Sequence, residues 1–378
     1  MTWLIDCVVG ARPNFIKISP ILHALSRRAG FESRLIHTGQ HYDAAMSEVF
    51  FQELDIPAPG INLEVGSGTG TEQTARIMLA LEEVLTQRRP DLLLVVGDVN
   101  STMATALVGA KHLIPIAHVE AGLRSGDRTM PEEVNRLVTD RLSDLLLTTE
   151  RQAADNLILE GVRPQQIHFV GNVMIDTLHA NLSRAAPAAV TMADHGADKS
   201  FVEKAAHGFG FVTLHRPSNV DVPAILGGLL TVLGEISAQL PLVFAVHPRT
   251  RASLEAHGLS HHLAARGILA TPPLAYLQAL GLMRAARLVV TDSGGIQEET
   301  TALGVPCLTV RENTERPITI TEGTNTLIGT SPEALRTAIA DVLASGGKRG
   351  RVPEFWDGHA AERIVDQIAA YLAQEPRN

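Results

Sequence analysis

Ala286–Leu303 reads ARLVVTDSGGIQEETTAL. Arg287–Thr291 is a short apolar run, the pattern of a buried strand. Asp292, Ser293, Gly294 and Gly295 form a turn, and from Ile296 the sequence reads as a helix. Two glycines let the backbone approach a ligand with no Cβ in the way. A helix start offers unpaired N–H groups and the positive end of the helix dipole to an anion. Glu298 and Glu299 follow within a turn, where a carboxylate accepts hydrogen bonds from sugar hydroxyls. Strand, glycine turn and helix start therefore predict an α/β fold with a phosphate on the turn and a ribose beside it. The same pattern also fits a strand–turn–helix corner with nothing bound.

Outward from this stretch, apolar runs alternate with helical patterns. Strands are expected at Leu4–Val9, Arg34–His37, Asp91–Gly97 and Ile114–Val119. Helices are expected around Ile18–Leu25, over Gln73–Leu85 and Asn100–Lys111, and from Pro131 to about Leu145. The rhythm restarts near Gly171. Strands then fall at Gly210–Leu214, Leu242–Val246, Ile268–Thr271 and Val305–Val310, between helices at Ala224–Leu240, Ala275–Arg284, Pro332–Leu343 and Ala360–Ala373. Alternating βα units imply doubly wound parallel sheets. At 378 residues, two such domains meeting across a cleft are the simplest architecture, with the boundary near residue 172.

Composition narrows the partners. The chain is 45% hydrophobic and 19% charged, which supports packed cores rather than disorder. Its net charge of −9 argues against nucleic acid, so an anionic substrate must find local Arg and Lys. Cys7 and Cys307 both lie in strand-like runs without CxxC spacing and read as core residues in a reducing, cytoplasmic compartment. The N-terminal MTWLIDCVVGARP lacks a basic leader and reads as the first strand. No apolar run reaches the roughly 18 residues of a spanning helix, so no membrane segment is expected.

In doubly wound sheets, ligands sit beyond the C-terminal strand ends. That rule selects Gly10, Arg12 and Lys17 after the first strand, Asp98 after DLLLVVG, and Glu120 with Arg124 after IPIAHV. It also selects His215 and Arg216, His247 and Arg249, the Ser-Gly-Gly turn, and Arg311 with Arg316. Each has a plainer alternative. Arg12 and Lys17 are also acceptable surface charges. Asp98 also suits a helix cap. Pro131-Glu132-Glu133 is good helix-start chemistry, which accounts for one glutamate and leaves the other free for another role. His37 and His41 are four apart but have no third ligand, so no metal site is expected. GARPNFIK lacks GxGxxG and no GxxxxGK[ST] loop occurs, which argues against a nicotinamide dehydrogenase and a P-loop ATPase.

Taken together the motifs resemble the non-hydrolysing UDP-N-acetylglucosamine 2-epimerases nearly end to end. GARPNFIKISP, HTGQH, GDVNST, HVEAGLRSGD, PEEVNR, TLHRPSN, VHPR, TDSGGIQEE and TERP match in order. The resemblance implies two Rossmann-like domains facing a cleft, of the glycosyltransferase-B type. It places residues 1–172 with 356–378 in the first domain and 173–355 in a UDP-binding second. It implies interconversion of UDP-N-acetylglucosamine and UDP-N-acetylmannosamine by a homodimer without metal or cofactor. Asp98, Glu120 and Glu132 become acid/base candidates, His215 a group near the pyrophosphate, and Arg12 and Lys17 the basic pair of the first motif. Ser293, Gly294 and Gly295 would hold the pyrophosphate, Glu299 the ribose and Arg316 a further part of the substrate. Glu298 is then expected to be a first-turn helix charge.

The chain departs from the pattern at three places. Asp43 and Glu72 stand where many bacterial members use polar or basic groups to bind a second UDP-sugar as activator, so weak or absent activation is expected. The helix before TDSGG has Ala279 where an aromatic residue commonly stacks on uracil, leaving Tyr276 as the nearest ring. The alternatives in view are a 2-epimerase of a UDP-2,3-diacetamido uronate, a hydrolysing epimerase, a glycosyltransferase of the same fold, and a non-catalytic nucleotide-sugar binding protein.

Overall fold

Every residue of Leu92–Val96 is at most 1% exposed. A strand without polar alternation has both faces covered, which in a parallel sheet means helices on both sides. The computed structural model describes residues 2–39, 51–264 and 267–374. One sheet contains β1 (Trp3–Val9), β2 (Phe31–His37), β3 (Ile61–Asn62), β4 (Leu92–Val96), β5 (Ile116–Val119), β6 (Leu145–Thr148) and β7 (Ile167–Phe169). Its order is β3-β2-β1-β4-β5-β6-β7, and every pairing is parallel. The other contains β8 (Gly210–Thr213), β9 (Leu242–Ala245), β10 (Ile268–Thr271), β11 (Leu288–Thr291), β12 (Cys307–Thr309) and β13 (Asn325–Leu327). Its order is β10-β9-β8-β11-β12-β13, again all parallel.

The chain divides into two compact units, Met1–Ala180 with Glu354–Asn378, and Asn181–Pro353. The division falls one helix beyond Asn172, across Val173–Asn181. In the first unit, helix Ala360–Gln374 buries Ile364, Val365, Ile368 and Leu372 along one face and packs on helix Arg12–Arg27. Asp176 fastens its start, accepting from the N–H groups of Ala360 (3.1 Å) and Ala361 (2.7 Å). The core of the second unit closes around Val212, Leu230, Leu233, Leu288, Val290, Leu335 and Ile339. Each such side chain contributes about 1.5–3 kcal/mol relative to exposure.

In both sheets the chain reverses strand order at one point, between β1 and β4 in the first and between β8 and β11 in the second. A doubly wound sheet opens its ligand crevice at that point. One expected element fails. The helix from Pro131 stops at Leu142, and Leu145–Leu147 joins the sheet as part of β6. Asp144 makes the break, its amide donating to the Ile116 carbonyl at 2.9 Å and its carboxylate accepting from the Ile116 amide at 3.0 Å. The apolar Leu145–Leu147 run continues the helical period but pairs as a strand.

Candidate active site

At the β1/β4 reversal, Asn14 ties the two strand ends together. Its Oδ1 accepts from the amides of Gly10 and Ala11 at 3.1 Å, and its Nδ2 donates to the Val96 carbonyl at 2.8 Å. Lys17, one turn further along the helix, is buried and ion-paired with Glu120 Oε2. Glu120 is 2% exposed and adopts φ +69°, a left-handed backbone rarely taken by a non-glycine residue. Such a conformation costs roughly 1–3 kcal/mol and persists where the surroundings impose it. Here both the Glu120 and Ala121 amides donate to the Leu147 carbonyl, at 3.1 and 3.2 Å. Gly97 also has a left-handed φ, +69°. A Cβ there would lie 2.8 Å from Lys17 Nζ and 3.3 Å from Glu120 Oε2. A Cβ at this strand end would therefore push the lysine end away from its glutamate partner. Arg12 opens the helix, and its side chain lies outside the described residues.

Asp98 follows Gly97 and does not cap the next helix. The N-cap of Asn100–Lys111 is Val99, with no side-chain cap bond. The Asp98 carboxylate pairs instead with Arg136 Nη1, and its carbonyl accepts from Asn135 Nδ2 at 2.8 Å. Both partners belong to helix Pro131–Leu142. Arg136, 2% exposed, also donates through Nε (3.1 Å) and Nη2 (2.6 Å) to Glu133 Oε2. Glu133 further accepts from the Ser125 and Gly126 amides and the Ser125 hydroxyl, all at 3.0 Å. Burial pushes its carboxyl up, but the Ser125 amide and Arg136 outweigh that and hold it below the usual range. Glu133 is therefore the glutamate that builds the loop. Glu132 lies half-buried in the first turn of the same helix.

A second buried network lies behind these groups. His118, in the middle of β5, is fully buried, with Nε2 2.8 Å from the Gly97 carbonyl and Nδ1 2.6 Å from Asp140 Oδ1. Asp140 Oδ2 accepts from the Gly122 amide at 3.0 Å and pairs with Arg124 Nη2 at 2.7 Å. Burial raises the Asp140 carboxyl, and the charges and hydrogen bonds of His118 and Arg124 outweigh it, leaving it below its ordinary value.

At the β8/β11 reversal of the second unit, Asp292 is the organising group. It is fully buried and accepts from the His215 amide, the Arg216 amide (2.8 Å) and Asn219 Nδ2 (3.0 Å). Its Oδ1 also lies 2.8 Å from His215 Nδ1. Burial raises this carboxyl, but His215, the Arg216 amide and Asn219 together hold it low. A carboxylate on Nδ1–H fixes the tautomer, so Nε2 of the half-exposed His215 is the nitrogen available to a ligand. Ser293 is the N-cap of helix Gly294–Leu303 and makes no side-chain cap bond. A Cβ on Gly294 would stand 2.8 Å from Glu315 Oε1 and 3.0 Å from Arg316 Nη1. The helix start therefore lies directly against a buried charge cluster.

In that cluster Glu315 Oε2 accepts from Arg311 Nη2 at 2.8 Å and Oε1 from Arg316 Nη1 at 2.7 Å. Arg316 Nε lies 2.9 Å from Glu298 Oε1. Glu298, expected from the sequence to be a first-turn helix charge, is 1% exposed and neutralises a buried guanidinium. Glu299, also buried, accepts from the Tyr276 hydroxyl at 2.9 Å. Burial, and then Glu299, push that phenol well above its ordinary value.

His41 and Asp43 lie outside the described residues. Glu72 completes a capping box, accepting from the Thr69 amide at 2.9 Å while its own amide donates to Thr69 Oγ1 at 3.2 Å. The structure also brings in residues that the strand-end rule did not select, namely His118, Asp140, Asp292 and Glu315. Asp292 had a signal, since it directly precedes the glycine turn at a strand end. Among the described residues, no group of three or more His, Cys, Asp or Glu is placed to hold a metal ion. Nor is any described helix long and apolar enough to cross a membrane.

Residues 23–369 match the UDP-N-acetylglucosamine 2-epimerase family profile. The UDP-N-acetylglucosamine 2-epimerase of Methanococcus maripaludis is 40% identical over 369 residues, spanning 96% of this chain and 98% of that protein. A UDP-2,3-diacetamido-2,3-dideoxy-D-glucuronate 2-epimerase of Pseudomonas aeruginosa is 38% identical over 370 residues, with the same coverage of 96% and 98%. The crystal structure of Methanocaldococcus jannaschii UDP-GlcNAc 2-epimerase in complex with UDP-GlcNAc and UDP superposes with a TM-score of 0.85 at 38% identity, covering 97% of this chain and 99% of that one. Paired parallel α/β units of the glycosyltransferase-B class are thus common to the chain and its solved relatives. By its motifs, fold and full-length similarity, the chain belongs to the UDP-N-acetylglucosamine 2-epimerase family, a family of non-hydrolysing isomerases.

Proposed function

We propose that the protein interconverts UDP-N-acetylglucosamine and UDP-N-acetylmannosamine by eliminating and re-adding UDP. The observation that carries this is the set of three carboxylates on the first unit: Glu120 buried against Lys17, Asp98 on Arg136, and Glu132 in a helix's first turn. The C2 proton of the sugar is not next to a ketone, so simple enolisation is closed. A base takes the C2 proton, the C1–O bond to UDP breaks, and C1=C2 forms, giving 2-acetamidoglucal and UDP. UDP oxygen then re-adds to C1 while an acid returns a proton to the opposite face of C2. Atoms and electrons balance with no redox partner.

Asp98, Glu120 and Glu132 supply the acid and base, each proton transfer contributing about 10²–10⁴-fold. The departing pyrophosphate is assigned to Ser293, Gly294 and Gly295 at their helix start, with His215, Arg12, Lys17 and Arg316 as cationic or hydrogen-bonding support. Glu299 is assigned to the ribose hydroxyls and Tyr276 to the base end of UDP. The relative crystallised with UDP-GlcNAc and UDP supports a UDP-sugar as ligand. A cytoplasmic homodimer is part of this proposal, and sedimentation equilibrium tests the dimer.

The 38% identity to the diacetamido uronate 2-epimerase favours one second reading, in which the same chemistry runs on a sugar substituted at C3 and C6. Incubation with each UDP-sugar in deuterated water, followed by NMR, separates the two. Deuterium at C2 with UDP-N-acetylmannosamine appearing supports the main proposal. Turnover of the uronate alone supports the second, and free sugar without UDP-linked epimer refutes both.

A further inference from the structure

His118 occupies the interior of an otherwise apolar four-residue strand, IAHV, with no exposed surface. Parallel strands covered on both faces ordinarily place aliphatic side chains there. A carbonyl only accepts, so His118 Nε2–H donates to the Gly97 carbonyl. Its Nδ1 faces Asp140, a carboxylate already held by the Gly122 amide and Arg124, so Nδ1–H donates as well. Both ring nitrogens are engaged, and neither is left for a substrate.

The two bonds connect particular places. The Gly97 carbonyl belongs to the left-handed turn that delivers Asp98, and the Gly97 amide donates to the Val119 carbonyl just before Glu120 at 3.1 Å. Asp140 stands on helix Pro131–Leu142, four residues after Arg136, which holds Asp98, and eight after Glu132. Residues spaced by four share one helix face. That face therefore carries Glu132, the grip on Asp98, and the anchor of His118.

We propose that His118 is a positioning residue for the C2 chemistry: donating at once to Gly97 and Asp140, it fixes the turns bearing Asp98 and Glu120 to the helix bearing Glu132. The inference rests on the assignment of those three carboxylates under the epimerase proposal. Two substitutions divide the two bonds. In His118→Gln an amide nitrogen stands near the place of Nε2 and keeps the Gly97 bond. In His118→Asn it stands near the place of Nδ1, keeps Asp140 and releases Gly97.

The expected result is a kcat on UDP-N-acetylglucosamine lowered on the order of 10–100-fold in His118→Asn, the scale of a ~1 Å misplacement of a reacting group. KM and calorimetric UDP affinity stay near wild type, and His118→Gln, which releases Asp140, loses kcat on the same scale. A kcat near wild type in either variant overturns the proposal, as does a loss that tracks lowered melting temperature and lost UDP affinity in both. If neither variant folds, ¹⁵N-labelled wild-type protein decides. Two solvent-protected imidazole N–H protons on His118 support the double donation, and a single one refutes it. Wild-type protein without turnover of either UDP-sugar removes the epimerase proposal and this one with it. Active wild type with indifferent variants removes only the positioning role.

Discussion

Replacing Gly97 by alanine tests the tight packing at the first strand reversal. An alanine at φ +69° bears the left-handed penalty, about 1–2 kcal/mol. Its Cβ would also meet Lys17 Nζ at 2.8 Å and Glu120 Oε2 at 3.3 Å. The lysine end is flexible, but it is buried and ion-paired, so it gives way only by loosening its hold on Glu120. Loosening a buried pair adds further cost, and the whole change is expected to destabilise by about 2–4 kcal/mol. Gly30→Ala supplies the control, because Gly30 lies in the same unit at φ +89° with nothing within 4 Å of its Cβ position. Only the backbone penalty applies there, about 1–2 kcal/mol. Urea unfolding should rank Gly97→Ala below Gly30→Ala. Steady-state kinetics should show kcat falling on the order of 10²-fold in Gly97→Ala, from a ~1 Å shift of Glu120, and little change in Gly30→Ala. Equal stability of the two variants, with kcat intact in both, refutes the claim that the Lys17–Glu120 contact makes Gly97 necessary.

The other predictions concern buried charge. Burial, ahead of all other causes, raises the Asp176 carboxyl to about 6, so its contribution to stability is full below its ordinary 3.8 and is lost as pH rises through about 6. Asp176→Asn should flatten this part of the stability–pH curve, removing a fall of at most about 3 kcal/mol, and an unchanged slope in urea titrations between pH 4 and 7 counts against it. Glu315 behaves oppositely. Burial raises its carboxyl, but Arg316 and Arg311 hold it far below the usual range, so its stabilisation is present above its ordinary 4.5 and is lost as pH falls below it. Glu315→Gln leaves two buried guanidiniums short of charge and should cost about 3–5 kcal/mol at pH 7, a difference that shrinks in acid. Tyr276→Phe removes the hydroxyl that steadies Glu299, and calorimetry should find UDP binding weakened by roughly 1 kcal/mol, whereas unchanged affinity would detach Glu299 from the ribose.

The sequence was most legible where one physical cause dominated. Leu92–Val96 reads as a buried strand because its apolar run is short for a buried helix and ends at a glycine turn. The strand-end rule then reached Lys17, Asp98, Glu120 and His215 without structural help. It failed where meaning depended on pairing across the chain. β3 and β13 are two and three residues long and exist only through their neighbours. β6 is separated from a helix by only two residues and borrows its apolar period. His118 looks like a strand interior and Asp140 like an exposed helix acid until 22 residues of separation close to 2.6 Å. Glu298 reads as a plain helix charge because its guanidinium partner lies 18 positions later, on Arg316.

The first unit is also discontinuous, with a consequence for how the protein is made. Its last helix, Ala360–Gln374, covers Arg12–Arg27, yet the 173 residues of Asn181–Pro353 are synthesised between the first unit's two parts. At ribosomal rates of about 5–20 residues per second, the part of the first unit that ends at Ala180 waits roughly 10–40 s for its covering helix. By the end of that interval all strands of the second unit have been synthesised. An interrupted product ending before Glu354 would therefore carry every strand of both units and leave the apolar flank of Arg12–Arg27 bare.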